Sequence, residues 1–230
     1  MEQEFDRLAR QALVGLEQCS LKERVIIGIA GVPGSGKTTV AAAVASKIND
    51  INKVKSHDLK PLDGPLAVAI PMDGFHYSRA QLAEMPNPEE AIHRRGAAFT
   101  FDGQGFHSLI KSLRGTQGDT VYAPSFGHET KDPEPDSIVI SPASRIVLVE
   151  GNYCALDRAP WKEAAKLMSQ LWYIDTPSEI THQRLAKRHL ASGIVRDEQE
   201  AWERATGTDE LNAQDIRNNL LAVDEVIRLG

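Results

Sequence analysis

Cysteine is scarce in this chain, and long hydrophobic runs are absent from it. The two cysteines, Cys19 and Cys154, do not have the paired spacing of zinc or redox motifs. Both are therefore expected to be small buried side chains in a reducing compartment. No apolar stretch approaches the ~18 residues that a membrane-spanning helix needs, and the N-terminus is charged and amphipathic rather than an apolar secretory signal. These features predict a cytoplasmic protein with no membrane partner.

Positive charge is also in deficit. The 26 lysines and arginines are outnumbered by 32 aspartates and glutamates, for a formal net charge of −6, which argues against broad binding to nucleic acid. With 230 residues and 41% hydrophobic composition, the chain is long enough for one domain with a sizeable core. We therefore predict a single domain over residues 1–230.

Apolar periodicity predicts alternating strands and helices. Short apolar runs predict strands at 24–30, 66–70, 145–150, 171–174 and 225–229. Helical spacing predicts helices at 1–20, 38–48, 104–113, 160–168, 177–191 and 197–205. This alternation is typical of an α/β fold with a parallel sheet of about five strands flanked by helices. Further candidates are a hairpin from 120–123 and 137–140 and a surface loop at 49–65. The N-terminal helix could pack on its own domain or on a partner, which leaves a homodimer open.

The decisive motif is GVPGSGKT at residues 31–38, a complete G-x-x-x-x-G-K-[S/T] phosphate loop. It follows a predicted strand and precedes a predicted helix, which is the context of the P-loop NTPase fold. Its glycines let backbone N–H groups converge on phosphate oxygens, and the helix N-terminus adds a positive dipole. Lys37 is expected to reach the β- and γ-phosphates and Thr38 to bind Mg²⁺. The predicted ATP-binding residues here are Gly31, Val32, Pro33, Gly34, Ser35, Gly36, Lys37, Thr38 and Thr39.

Other motifs narrow the class of reaction. A GTPase would need a base-reading Asn-Lys-x-Asp, whereas the Asn-Lys pair here continues as NKVK at 52–55. A mechanical ATPase usually ends its acidic strand with adjacent carboxylates, but this strand ends with Glu150 and then a glycine. A kinase instead needs a carboxylate beside the attacking hydroxyl. Asp73 and Glu150 both follow predicted strands, at the edge where α/β sheets bind ligands. Asp73 is the candidate base, and Glu150 could hold Mg²⁺ or contact the acceptor.

Five segments occur in an order that points to one family. They are the phosphate loop, MDGFHY at 72–77, FD at 101–102, VYAP at 121–124 and VEGN at 149–152. Together they resemble the phosphoribulokinase/uridine kinase/pantothenate kinase family, over residues 25 to 229. The resemblance implies a kinase that uses ATP and Mg²⁺, with Asp73 as base, Glu150 by the metal and acceptor, and residues 122–128 in the acceptor pocket. The Asp-Gly-Phe motif is closer to the motif of pantothenate and related bacterial sugar or nucleoside kinases than to that of uridine kinases. The sequence SFGHE at 125–129 also departs from the uridine kinase pattern.

The resemblance also implies a small lid over ATP, at about residues 184–200, that supplies an arginine. Arg184 and Arg188 share a helix face at i, i+4 spacing and are the better candidates, ahead of Arg196; a solvated basic face is the alternative. A Thr176–Glu179 capping box with proline between them predicts the start of this helix. Asn212 lies where related kinases place residues near the nucleotide base.

The remaining candidates concern the acceptor. Arg94 and Arg95 could grip a carboxylate or phosphate, or could lie on a surface helix. His76 and His128 could hydrogen-bond the acceptor, and Tyr122 could line its pocket. We therefore predict a kinase for a pantothenate-like or sugar acceptor. A nucleoside kinase (uridine/cytidine or nicotinamide riboside type) and a regulatory nucleotide-binding protein without transferase activity are the alternatives.

Overall fold

The computed structural model describes residues 1–20, 23–55, 64–115, 118–127, 130–193 and 195–229. In chain order the strands are β1 (Val25–Gly31), β2 (Ala67–Pro71), β3 (Val121–Gly127), β4 (Asp132–Ile140), β5 (Ile146–Glu150), β6 (Gln170–Ile174) and β7 (Glu225–Ile227). The helices are α1 (Glu2–Gln18), α2 (Lys37–Lys55), α3 (Arg79–Ala83), α4 (Pro88–His93), α5 (Gly103–Gly115), α6 (Trp161–Ala165), α7 (Ser178–Ala191), α8 (Glu198–Thr206) and α9 (Thr208–Asn218). Two 3₁₀ turns cover Met72–Phe75 and Ala98–Thr100.

The main sheet is parallel and has the strand order β2–β5–β1–β6–β7. β1 and β5 lie inside it, and every residue of both strands is buried, as expected for strands covered by helices on both faces. The predicted α/β fold with five parallel strands is confirmed. The additional hairpin is also present, as the antiparallel pair β3 and β4, and both strands are longer than predicted.

The two faces of the sheet carry separate cores, because successive side chains of a strand point to opposite faces. Ile27 and Ile29 of β1 pack with α1 and α2, whereas Ile26 and Ala30 pack with α5, α6 and the hairpin. The apolar face of α1 is buried on its own chain through Phe5, Leu8, Ala9 and Ala12. This face is therefore not left open for a second copy.

The predicted surface loop at 49–65 is wrong at its start, because α2 continues to Lys55. The Asn49 side chain explains part of this: its amide donates to the Ala67 carbonyl and its oxygen accepts from the Ala67 N–H, both at 2.9 Å. Ile51 also packs against the core. The polar composition of 49–55 therefore did not predict the last turns of α2, which are bonded to β2. Residues 56–63 lie outside the described part of the chain. No helix among the described residues combines the length and apolar character that a membrane span requires.

Candidate active site

The phosphate loop joins β1 to α2 and is packed tightly against α7. Gly34 and Gly36 adopt positive φ angles of 77° and 99°, a region that glycine enters without steric penalty. A Cβ atom on Gly34 would lie 2.9 Å from the Thr181 carbonyl oxygen and 3.0 Å from Leu185 Cγ. Only glycine fits this contact without displacing either helix or loop.

Lys37 turns its side chain into the loop and is 8% exposed. Its ammonium donates to the carbonyl oxygens of Gly31 and Val32, both at 2.9 Å. Burial lowers the pKa of Lys37 to about 8, against the opposing effect of the carboxylates of Glu150 and Asp73. No carboxylate among the described residues forms a direct ion pair with this ammonium, and a phosphate group would supply one.

Thr38 and Glu150 form the candidate magnesium site. The Thr38 hydroxyl donates to Glu150 Oε1 at 2.9 Å, and burial raises the pKa of the Glu150 carboxyl, which is 6% exposed. Hydroxyl and carboxylate oxygens are suitable Mg²⁺ ligands, and this ion is usually held by one or two protein groups together with waters and substrate phosphates. The donor set therefore fits Mg²⁺ bound with ATP. Within the described ranges the structure has no group of three His, Cys, Asp or Glu side chains that could hold a metal alone.

The register of the sheet brings Asp73 to the same edge as Glu150. Pro71, the last residue of β2, pairs with Glu150, and Asp73 follows in the turn Met72–Phe75 with its side chain exposed. Gly74 lies directly against the hairpin, because a Cβ atom there would collide with the Pro124 carbonyl. This contact holds the Asp-Gly-Phe segment against the Tyr-x-Pro segment of the hairpin.

His76 connects the same turn to the start of α5. Its ring lies over Phe101, with centroids 3.9 Å apart, and near Phe126, at 5.0 Å. Its Nδ1 is 2.8 Å from the Asp73 carbonyl oxygen. Burial lowers the pKa of His76, opposed by the Asp73 carboxylate, so the ring is neutral at pH 7 and donates this hydrogen bond.

A cavity of about 520 Å³ opens between these elements. It receives Pro33 from the phosphate loop and brings together six of the predicted site residues: Pro33, Asp73, His76, Arg95, Arg188 and Asn212. The candidate base therefore shares one cavity with a residue of the candidate ATP site. Pockets of about 300–1,000 Å³ are typical of small-molecule sites.

The two predicted lid arginines have different positions. Arg184 lies along the phosphate loop, where its Nη1 donates to the carbonyl oxygens of Gly34 at 3.3 Å and Ser35 at 3.5 Å. Arg188, one turn later, lines the cavity, and its charge contributes to lowering the pKa of Lys37. Arg196 lies in the turn before α8, exposed and outside the lining of this cavity.

The predicted capping box at the start of this helix is wrong. α7 begins at Ser178, its N-cap is Pro177, and no side chain caps it. The Thr176 hydroxyl instead donates to the Ser35 carbonyl oxygen at 3.1 Å. This residue therefore joins β6 to the phosphate loop.

Arg95 is held from three sides. Its Nη2 donates to the Tyr77 carbonyl at 3.0 Å and to Asp132 at 3.3 Å, and its guanidinium lies 5.5 Å from the centre of the Phe126 ring. Arg94 does not line the cavity; it donates to the Asn212 side chain at 3.1 Å. Asn212 is 2% exposed and lines the same cavity as Asp73. Its predicted contact with the nucleotide base stays a prediction.

The predicted acceptor residues Tyr122 and His128 have different outcomes. Tyr122 lies on β3 with 53% of its surface exposed and is not among the lining residues, whereas Phe126 of the same strand is. His128 lies outside the described residues.

The sequence reasoning missed several side chains that line the cavity, chiefly Asn152, His189, Arg204 and Asp209. Asn152 could have been found, because it follows Glu150 at the same strand end. The others come from α7, α8 and the first turn of α9, where His189 Nε2 lies 2.6 Å from Asp209 Oδ2. Nothing in their spacing along the chain indicates that these helices converge.

Comparison with known proteins identifies the family. The profile of the phosphoribulokinase/uridine kinase family matches residues 26–200. The ATP-dependent kinase-like protein notR' of Aspergillus versicolor is 52% identical over 159 residues, covering 68% of this chain and 92% of that protein. A Schizosaccharomyces pombe protein, provisionally named a uridine kinase, is 37% identical over 224 residues, covering 97% and 90%.

Solved structures give the same result for the fold. The Saccharomyces cerevisiae protein YFH7, provisionally described as a P-loop kinase with a circular permutation, has a TM-score of 0.85 at 26% identity, covering 98% of both chains. A provisionally named fructose transport system kinase from a Silicibacter species has a TM-score of 0.82 at 26% identity, covering 97% of this chain and 98% of that one. The chain belongs to the phosphoribulokinase/uridine kinase family of P-loop kinases.

Proposed function

We propose that this kinase transfers the γ-phosphoryl group of ATP to a hydroxyl of a small polar metabolite, with a pantothenate-like or sugar acceptor favoured. The observation that carries the proposal is the common cavity of Asp73, Arg188 and Pro33, which joins a carboxylate and a cation to the phosphate loop. A regulatory nucleotide-binding protein would have no use for a carboxylate at this point.

Each residue has a role in this reaction. ATP and Mg²⁺, when bound, supply the phosphoryl group and part of the neutralising charge. Asp73 orients the acceptor hydroxyl and takes its proton, while Lys37 and Arg188 stabilise the negative charge that develops on the transferred group. Thr38 and Glu150 provide oxygen ligands for the metal, and Arg184 supports the backbone of the phosphate loop.

The predicted lid, residues 184–200, includes the second half of α7 and the start of α8, and residue 194 lies outside the described part of the chain. We assign to it the closure of the ATP site, because Arg184 contacts the loop and Arg188 reaches the cavity. Water would thereby be kept from the phosphoryl group, which limits wasteful hydrolysis of ATP.

Polar side chains in the cavity favour an acceptor rich in oxygen atoms. Asn152, Asn212 and His76 present hydrogen-bonding groups to this space. A nucleoside is the second candidate, because the rings of Phe101 and Phe126 also line the cavity and the fission yeast relative is provisionally named a uridine kinase. The exposed Tyr122 does not contribute to such a base site.

The substitution Asp73→Asn tests the proposed base. It keeps the size of the side chain but removes the proton acceptor, so we expect kcat to fall by roughly 10²- to 10⁴-fold with ATP affinity nearly unchanged. ADP production with Mg-ATP should be measured against nucleosides, pantothenate, ribosides and simple sugars.

Asp175→Asn is the matched control, since Asp175 also follows a strand of the sheet but lies outside the lining of this cavity. It should leave turnover unchanged. Full turnover of an accepted substrate by Asp73→Asn would refute the base assignment, and ATP binding without any phosphorylated acceptor would favour a regulatory protein.

A further inference from the structure

The cavity carries more positive charge than its role in ATP binding explains. Its lining contains five cationic side chains, Arg79, Arg95, Lys131, Arg188 and Arg204, and two carboxylates, Asp73 and Asp209. The chain as a whole has a net charge of −6. This local reversal of sign indicates an anionic ligand.

Arg204 is the clearest sign of a missing partner. It comes from α8, lines the cavity and is partly buried, and its Nε is buried without a hydrogen-bond partner. In the described part of the chain its guanidinium forms no hydrogen bond or ion pair. A partly buried, unpaired guanidinium is unfavourable unless a ligand completes its hydrogen bonds.

Arg95 reaches the cavity from a different part of the chain, between α4 and the hairpin. Its Nε is also buried without a partner, and burial lowers the pKa of its guanidinium. The carboxylate of Asp132 is shared between Arg95 at 3.3 Å and Arg79 at 3.4 Å. One carboxylate therefore faces two guanidinium groups, and an uncompensated positive charge remains at this wall.

The carboxylates of the cavity cannot serve as partners for these arginines. Asp209 lies 2.6 Å from His189, and the proposed reaction needs Asp73 free to accept the proton of the acceptor hydroxyl. Lys37 and Arg188 lie beside the phosphate loop and account for the transferred phosphoryl group.

We propose that Arg95 and Arg204 form an anion subsite for the acceptor, so that the acceptor carries a carboxylate or phosphate in addition to its reacting hydroxyl. The proposal rests on the kinase function proposed above and decides between its candidates. An acid such as a pantothenate-like compound, or a sugar acid or sugar phosphate, gives Arg204 a partner and balances the excess charge at Arg95. A neutral sugar or an unmodified nucleoside leaves the Arg204 guanidinium and the Arg95 Nε without partners. Planar guanidinium groups bind both carboxylate and phosphate in a bidentate way, so the two anions must be separated by experiment.

Matched acceptor pairs test the charge requirement directly. The pairs are gluconate and glucose, pantothenate and pantothenol, and ribose 5-phosphate and ribose, each assayed for kcat/KM with Mg-ATP. We expect the charged member of the preferred pair to exceed its neutral partner by at least roughly tenfold, since one charge-assisted hydrogen bond is worth that much. The preferred pair shows whether the anion is a carboxylate or a phosphate.

Arg204→Met and Arg95→Met test the residues. Each should raise KM for the charged acceptor by roughly 10- to 100-fold, while KM for ATP and turnover of the neutral acceptor change little. Arg204→Met is the cleaner variant, because it breaks no hydrogen bond among the described residues and should not lower Tm. Arg228→Met is the matched control: Arg228 is paired with Asp175 outside the cavity lining and should leave all constants unchanged.

Equal use of neutral and charged acceptors would overturn the anion subsite and leave the kinase function standing. A rise in KM for ATP alone in Arg204→Met would also overturn it, because the guanidinium would then serve ATP. Thermal shifts with the charged compounds, after a non-hydrolysable ATP analogue has filled the phosphate loop, distinguish the two proposals. Consider a compound that shifts Tm in the wild type but not in Arg204→Met, and yet is not phosphorylated when Mg-ATP replaces the analogue. That result would support the subsite and contradict the kinase reaction.

Discussion

The phosphate loop and the acceptor cavity are adjacent, yet they are built in opposite ways. Eight consecutive residues form the loop, and its two functional side chains already have partners: Lys37 bonds to carbonyls of its own loop, and Thr38 bonds to Glu150. The cavity takes side chains from α3, α4, β3, the end of β5, α7, α8 and α9, and the guanidinium of Arg204 has no partner among the described residues. A site for a ligand common to many enzymes can be local and preformed. A site for one particular acceptor is assembled from distant segments and is completed by the ligand.

This difference predicts that the loop tolerates substitution poorly and that the cavity tolerates it well as far as folding is concerned. It also predicts that a substitution in the loop reduces activity for every acceptor, whereas one in the cavity reduces activity for some acceptors only. Of the three substitutions below, we expect the largest effect at Lys37, an intermediate one at Gly34 and the smallest at His76.

Lys37→Met should have the largest effect. It removes the cation that faces the phosphates, so we expect kcat/KM to fall on the order of 10³-fold for every acceptor. Steady-state assays with two chemically different acceptors measure this, and urea denaturation shows whether the variant still folds. The contrast between loop and cavity would be broken if Lys37→Met reduced activity for one acceptor and spared another, as Arg204→Met is expected to do.

The contrast also explains which parts of the molecule can be predicted from the sequence. β1, the phosphate loop and α2 are consecutive in the chain. Their local sequence therefore predicts both the strand–loop–helix structure and the phosphate ligand. The sequence predicts that Asp73 and Glu150 share an edge because parallel strands end on one side of a sheet, and the pairing of Pro71 with Glu150 explains how they meet.

The rest depends on contacts between residues far apart in the chain. Arg204 and Asp209 lie on helices whose approach to β2 and the hairpin has no periodic signal. Tyr122 and Phe126 illustrate the same limit within one strand: both are plausible pocket residues, but only Phe126 lines the cavity, and the register of the hairpin shifts between them. The cap predicted at Thr176 failed because its hydroxyl bonds to the phosphate loop, a partner 141 residues away.

Gly34→Ala should have an intermediate effect, on the loop's folding as well as on its binding. The new Cβ atom would contact the Thr181 carbonyl and Leu185 at a φ of 77°, so we expect the free energy of unfolding to fall by about 2–3 kcal/mol and ATP affinity to weaken. Urea denaturation and ATP titration measure the two effects. Gly193→Ala is the matched control, because Gly193 has a φ of 66° and its Cβ atom would meet no described atom within 4 Å, so it should lose only about 1 kcal/mol. Equal losses in both variants would mean that packing against α7 contributes nothing.

His76 should show the smallest effect, in the pH dependence of stability. Burial lowers the pKa of His76 below its usual value of 6.5, so the unfolded chain binds the proton more tightly than the folded chain does. Stability is therefore complete above about pH 6.5 and falls as the pH drops below it, by at most about 1.4 kcal/mol per pH unit for one proton.

His76→Phe removes this proton site while keeping a ring between Phe101 and Phe126. Urea denaturation of both proteins at pH 7.5 and at intervals down to pH 5 should show a shallower decline in the variant. The Asp73 carboxylate opposes the shift and the Arg95 guanidinium reinforces it, so an anion bound at Arg95 should make the wild-type decline shallower as well. If the free energy of unfolding had the same pH dependence in both proteins, folding would not lower the affinity of His76 for its proton. The cavity wall beside Asp73 would then be more open to water than the stacked rings indicate.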